Sequence, residues 1–149
     1  AVVRAVKAVL PRLNAGSTLA IVSSMAHFFP FTRAEAYGAS KAAISYFADS
    51  LRVDLHDTGI KVCLIEPGFI NTPLTQKNDF AMPFMLPVDQ AAARVITAID
   101  AGKLRYRFPK RLAFSLNLLN LLPYSLRQKV AAGMKSDPKN SDKGDVKID

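Results

Sequence analysis

Apolar residues recur at helical spacing from the first residue to Leu13, and Asn14-Ala15-Gly16 then breaks the pattern. Thr18-Leu-Ala-Ile-Val22 is a short β-branched run of the kind that fills a buried strand, with Ser23 and Ser24 at its C-terminal end. Ile44, Phe47, Leu51 and Leu55 are three and four apart, which predicts one long helix from about Ala34 to His56. Thr32-Arg-Ala-Glu35 has the spacing of a capping box in front of it, and Gly59 suits the left-handed position behind it. Ile60 to Ile65 reads as the next strand, ending at Glu66-Pro67-Gly68. Residues 69 to 86 have no period and hold Pro73, Pro83 and several aromatic and Met residues, so a long apolar loop with at most a short helix is expected. Pro87 opens a helix that Gly102 stops, and Leu104 to Phe108 alternates as a strand. Pro123 divides two short helices, 111–122 and 124–134. From Lys135 onward Lys, Asp, Ser and Asn dominate, and a disordered tail over 135–149 is expected.

Helix and strand thus alternate three times, the order of a parallel sheet with crossover helices. The expected fold is α/β, a Rossmann-like doubly wound parallel sheet of which three strands are visible. The first helix begins at once, without a capping residue, so the chain reads as an excerpt of a longer domain.

Composition narrows the class without naming a function. Half of the residues are hydrophobic and 21% charged, as in a soluble globular protein. The longest apolar region, Leu112 to Leu122, is interrupted by Ser115, Asn117 and Asn120, short of the roughly 18 apolar residues a membrane span needs. Arg4 and Lys7 break the first apolar run, so it does not resemble a signal peptide. The single cysteine, Cys63, fits a buried strand position and a reducing, cytoplasmic compartment. Neither paired acids nor His/Cys spacing suggests a metal site. The formal charge of +8 is concentrated: Lys103, Arg105, Arg107, Lys110, Arg111, Arg127 and Lys129 occur in 101–134 without one acid. Such a segment meets an anionic lipid, substrate or nucleic acid, or is a solvated face. Nucleic acid is the least attractive of these, because the cations surround a strand that carries no recognition motif.

The sharpest chemical signal is Tyr37-Gly-Ala-Ser-Lys41, which puts a phenol and an ammonium one helical turn apart on one face. A phenol, with an ordinary pKa near 10, exchanges protons poorly at neutral pH; bringing one to about 7 takes roughly 4 kcal/mol. An ammonium at about 5 Å, with an effective dielectric of about 20, supplies roughly 3 kcal/mol before desolvation opposes it. Ser24 lies at a strand's C-terminal end, where open α/β sheets bind ligands, and its hydroxyl can hold a carbonyl or alcohol oxygen. Taken alone, a Tyr and a Lys four apart are more often plain helix-surface residues.

Three segments together change that balance. Ile21-Val-Ser-Ser-Met-Ala26, Tyr37-Gly-Ala-Ser-Lys-Ala-Ala43 and Glu66-Pro-Gly-Phe-Ile-Asn-Thr72 closely resemble successive motifs of the classical short-chain dehydrogenase/reductase family in order, spacing and placement. The resemblance covers about residues 1 to 108, and 109–134 corresponds to the variable substrate, lid or membrane-proximal region of such enzymes. It implies that Ser24 polarises the substrate oxygen, Tyr37 is the acid/base, and Lys41 also binds the nicotinamide ribose. It further implies that the backbone at Pro67, Gly68 and Ile70 and the Thr72 hydroxyl hold the nicotinamide end, Pro67 and Gly68 permitting a tight turn and close approach to a flat ring. NAD or NADP is the implied cofactor, and the residues that choose between them, like the Gly-rich pyrophosphate loop, would precede Ala1. The neighbouring half of the sheet would be missing too, leaving a hydrophobic edge and helix faces exposed.

The reading is therefore an oxidoreductase acting on a secondary alcohol or ketone, lipid-like if the basic segment and the helix after it touch a membrane peripherally. A non-catalytic cofactor-binding or scaffold protein of the same fold is the alternative. The family resemblance implies a homo-oligomer formed through the Tyr37 helix and the helix before it. Phe80, Met82, Phe84 and Met85 suit either an apolar lid or core packing. His27 and His56 are expected to be structural or solvent-facing.

Overall fold

The computed structural model describes residues 1–77 and 82–134. Phe80 and the tail from Lys135 lie outside the described residues. Three strands, β1 (Thr18–Val22), β2 (Lys61–Pro67) and β3 (Arg105–Phe108), form one parallel sheet in the order β1-β2-β3. Thr18 pairs with Lys61 and Leu64 with Arg105, so both crossovers return each strand beside its predecessor. The crossovers are α2 (Glu35–Asp54) and α3 (Val88–Asp100), with α1 (Val2–Val9) ahead of β1 and α4 (Lys110–Asn120) and α5 (Tyr124–Gly133) after β3. Among the described residues, no helix is long and apolar enough to cross a membrane.

Strand alternation explains the layers. On one face of β2, Val62 and Leu64 pack with Ile21, Val6 of α1 and Ala48 of α2. On the other face, Cys63 and Ile65 pack with Ala91 and Ala98 of α3 and with Phe108. Burial pushes the Cys63 thiol above its ordinary pKa against the opposing charge of Arg52, so it serves as a small core hydrophobe. A third cluster joins Met25 and Phe29, after β1, to Leu112 and Leu116 of α4 and Ala131 of α5. α4 and α5 thereby cover the turn after β1. Helices on both faces of a parallel sheet make the doubly wound arrangement expected. Strand β1 lies at the sheet edge, with Ala20 and Val22 exposed.

Among the described residues, the local predictions hold with one instructive exception. Gly59 has φ +73°, and a Cβ there would stand 2.9 Å from the Ala15 Cβ, so both conformation and space demand glycine. The capping box does not form. Arg33 takes φ +55°, which displaces the helix start, and Ala34 becomes an N-cap without a side-chain bond.

Glu66 is the last α2-facing residue of β2 and is fully buried. Its Oε1 meets His27 Nε2 at 2.6 Å and Ser45 Oγ at 3.4 Å; Oε2 meets Arg107 Nε at 2.7 Å and Arg105 Nε at 3.2 Å. Burial pushes its pKa up, but the hydrogen bonds from His27 and Arg107 and the charges of Arg107 and Arg105 outweigh it, leaving the carboxyl below the ordinary glutamate value. Arg105 also reaches Asp49 at 2.7 Å, and Arg52 joins Asp49 at 2.6 Å and the Leu104 carbonyl at 2.7 Å. Arg105 and Arg107 are therefore spent on bracing α2 to β2 and β3, which removes both from the basic surface suggested by charge alone.

Two stability changes follow from these positions. Gly59→Ala is expected to lower the unfolding free energy by about 1–2 kcal/mol through left-handed strain, read by urea denaturation. Glu66→Gln leaves Arg105 and Arg107 without their carboxylate and is expected to cost about 3 kcal/mol at neutral pH. Because the folded carboxyl titrates below its unfolded value of about 4.3, its stabilisation is complete above that value and is lost as pH falls through the folded pKa. Acid titration of stability should accordingly show a shallower loss below about pH 4 in Glu66→Gln than in the parent.

Candidate active site

Where β1 ends, the chain enters a 3₁₀ turn, Met25–His27, with Ser24 as its N-cap. The Ser24 Oγ accepts the Ala26 N–H at 3.1 Å. That bond occupies a lone pair and leaves the hydroxyl proton free to donate to a ligand. Two contacts hold the turn from behind: His27 on Glu66, and Arg107, whose guanidinium stacks 3.8 Å from the Phe28 ring centroid.

Helix α2 is fastened to the same strand end by Ser23. Its Oγ donates to the Lys41 carbonyl at 2.9 Å and lies 2.7 Å from Ser45 Oγ. Ser45 in turn contacts Glu66, so one buried polar chain runs from the sheet to the helical turn that carries Lys41. Gly38 allows the close approach, since a Cβ there would lie 3.2 Å from the Ala26 carbonyl oxygen. Tyr37 is half exposed beside it, and the Lys41 Nζ lies 5.5 Å from the Tyr37 ring centroid, over its face. The predicted one-turn pairing is present, with the ammonium on the ring.

Ser24 and Tyr37 line one cavity of about 310 Å³. Its lining is mainly apolar, with Phe31, Phe69, Leu74, Leu112 and Leu116; Thr32 and Thr75 add hydroxyls, and Arg33 is the one cationic residue among the lining. Hydroxyls set in a mainly apolar lining suit a molecule with an oxygen function on a hydrocarbon body. Thr32, unused as a cap, is part of this wall.

The segment after β2 divides among several tasks. Gly68 borders the cavity, yet a Cβ on it would meet Leu112 Cδ2 at 2.7 Å, Met25 Cε at 2.8 Å and Pro109 Cδ at 3.2 Å. The close approach that Gly68 permits is thus one by the protein's own side chains. Pro67 closes β2. Ile70 bridges to Leu86 and packs in the α3-side core. The Thr72 hydroxyl is 3.1 Å from Thr75 Oγ and accepts the Thr75 N–H at 3.2 Å, inside a turn. Ser24, Tyr37 and Gly68 therefore meet at the cavity with Lys41 one turn away, whereas Pro67, Ile70 and Thr72 do not line it. Met82, Phe84 and Met85 do not line it either, whereas Leu74 and the aromatic pair Phe31 and Phe69, edge to face at 6.2 Å, do.

Reading the sequence overlooked Ser23, Ser45 and Glu66 as positioning groups. Glu66 offered a signal, an acid closing an otherwise apolar strand, since such a group must be answered by donors. His56, exposed and 2.8 Å from Asp57, is the surface group expected.

Comparison with known proteins agrees with this geometry. The sequence pattern of the short chain dehydrogenase family matches residues 1–82. An uncharacterized oxidoreductase of Myxococcus xanthus is 40% identical over 121 residues, covering 80% of this chain and 48% of that protein. A short-chain dehydrogenase from Sphingobium yanoikuyae, solved with NADPH, superposes with a TM-score of 0.58 at 21% identity, over 80% of this chain and 46% of that one. A second, from Streptomyces avermitilis, gives a TM-score of 0.60 at 21% identity, over 89% and 59%. The chain spans about half the length of the Myxococcus relative. With its parallel sheet, Ser24 at a strand end and Tyr37 and Lys41 on the following helix, the chain belongs to the short-chain dehydrogenase family.

Proposed function

We infer that the protein carrying this chain interconverts a secondary alcohol and a ketone with a nicotinamide cofactor, NAD or NADP, and that its substrate is predominantly apolar. The observation that carries this reading is the shared cavity, which Ser24 and Tyr37 line together with Phe31, Phe69, Leu112 and Leu116. The Sphingobium relative's NADPH supports the cofactor class. The bound nicotinamide supplies, in the reducing direction, the hydride that goes to the carbonyl carbon.

The chain's own residues do the remainder. Ser24 donates a hydrogen bond to the carbonyl oxygen, and the Ala26 N–H keeps its Oγ oriented. Tyr37 transfers its phenolic proton to that oxygen, and the Lys41 ammonium over the ring favours the phenolate left behind. Tyr37, on the cavity, and Lys41, one turn away, are also the residues suited to hold the nicotinamide ribose. The family resemblance assigns the ring end to the backbone about Pro67, Gly68 and Ile70 and the Thr72 hydroxyl, of which only Gly68 lines the cavity. Residues 1–134 serve as one part of a nicotinamide-binding domain, the remainder pairing along the open edge of β1. The outer face of α2, where Tyr46 and Val53 are exposed seven residues apart, suits contact with a second copy.

With the full-length natural protein and a panel of ketones, Tyr37→Phe is expected to lower kcat about 10²–10⁴-fold while the fold persists. Lys41→Met should lower kcat and also raise KM for the cofactor. Absence of cofactor-dependent turnover across the panel, with Tyr37→Phe matching the parent, would overturn the assignment.

A further inference from the structure

Helix α4 is apolar on two sides. Leu112 and Leu116 face inward and line the cavity, as expected of a covering helix. Phe114, Leu118 and Leu121 nevertheless stand 70%, 57% and 81% exposed. At about 100° per residue they form one stripe along the outer face, because they are four and three residues apart. Lys110 and Arg111 border this stripe on its two sides, both exposed and paired with no acid among the described residues. Tyr124, 70% exposed, follows just past Pro123. A cation at the first turn of a helix is disfavoured by the helix dipole, and α4 carries two there with no acid.

The geometry points to docking of this outer face of α4 on an anionic lipid surface. Phe114, Leu118 and Leu121 enter the boundary between headgroups and acyl chains, while Lys110 and Arg111 reach the anionic headgroups at either side. Charge separates this occupant from a second copy of the chain. Stripe against stripe would bring two pairs of cations together in a parallel pairing, and in an antiparallel one would set each pair against a segment, residues 101–134, that contains no acid to answer it. Arg105 and Arg107 take no part, being committed to Glu66.

Vesicle flotation of the full-length protein tests this independently of catalysis. Binding is expected on vesicles of equal parts phosphatidylserine and phosphatidylcholine at low salt, with weaker binding at high salt and on phosphatidylcholine alone. K110Q/R111Q should lower the partition coefficient about thirtyfold. F114S/L118S should lower it at least about tenfold, and both variants should keep the parent's circular dichroism because all four side chains are exposed. Tyr37→Phe should float like the parent. The docking is overturned if the parent does not float with anionic vesicles or if both double variants float unchanged. A parent dimer that F114S/L118S turns into a monomer without any vesicle binding would assign the stripe to self-association instead.

Discussion

A carboxylate with no access to water has to be answered on every side, and Glu66 imposes that requirement at the point where three strands, a helix and a turn converge. His27 and Ser45 answer one oxygen, Arg107 and Arg105 the other. Those partners lie on the turn after β1, on α2 and on β3, so satisfying one side chain sets the relative positions of all three. The turn carries Ser24 and the helix carries Tyr37 and Lys41. The meeting of Ser24 and Tyr37 at one cavity, with Lys41 one turn away, thus depends on a charge that contacts none of them. Ser23 extends the arrangement by fastening the Lys41 carbonyl to the same buried chain of polar groups.

The placement of charge follows the same economy. Seven cations and no acid occur between 101 and 134, yet the structure puts them to different uses. Arg105 and Arg107 pair with Glu66, Arg127 lies 5.5 Å from the Tyr124 ring, and Lys110 and Arg111, unpaired among the described residues, stay beside exposed apolar residues. Helix α4 consequently has one side on the cavity and the other toward the surroundings, a position from which an apolar hollow and an apolar exterior stripe are separated by a single helix.

Much of the fold was legible because it is written in short-range patterns. The β-branched runs at Thr18 and Lys61, the spacing of Ile44, Phe47 and Leu51, and Gly59 each depend on neighbours within a few residues. Ser24 at a strand end and Tyr37 one turn from Lys41 belong to the same class, which is why the family resemblance could be stated from them. Thr32 shows the limit: its spacing to Glu35 fits a cap, but Arg33 in the left-handed region moves the helix start and leaves Thr32 on the cavity wall. Gly68 shows another, since the side chains that crowd it come from Met25 and Leu112, far away in the chain.

By itself, then, the sequence determined the alternation of helices and strands, the parallel sheet, and the placing of Tyr37 one turn from Lys41, since periodicity and local spacing act over one or two turns. Only the tertiary structure decided which polar groups answer Glu66, 39 residues from His27 and 41 from Arg107. It alone separated the inward cations from the outward ones and divided the residues after β2 between core, turn and cavity. The reason is physical: a buried charge is satisfied by whatever donors the packed elements bring within about 3 Å, and distance along the chain does not enter that condition.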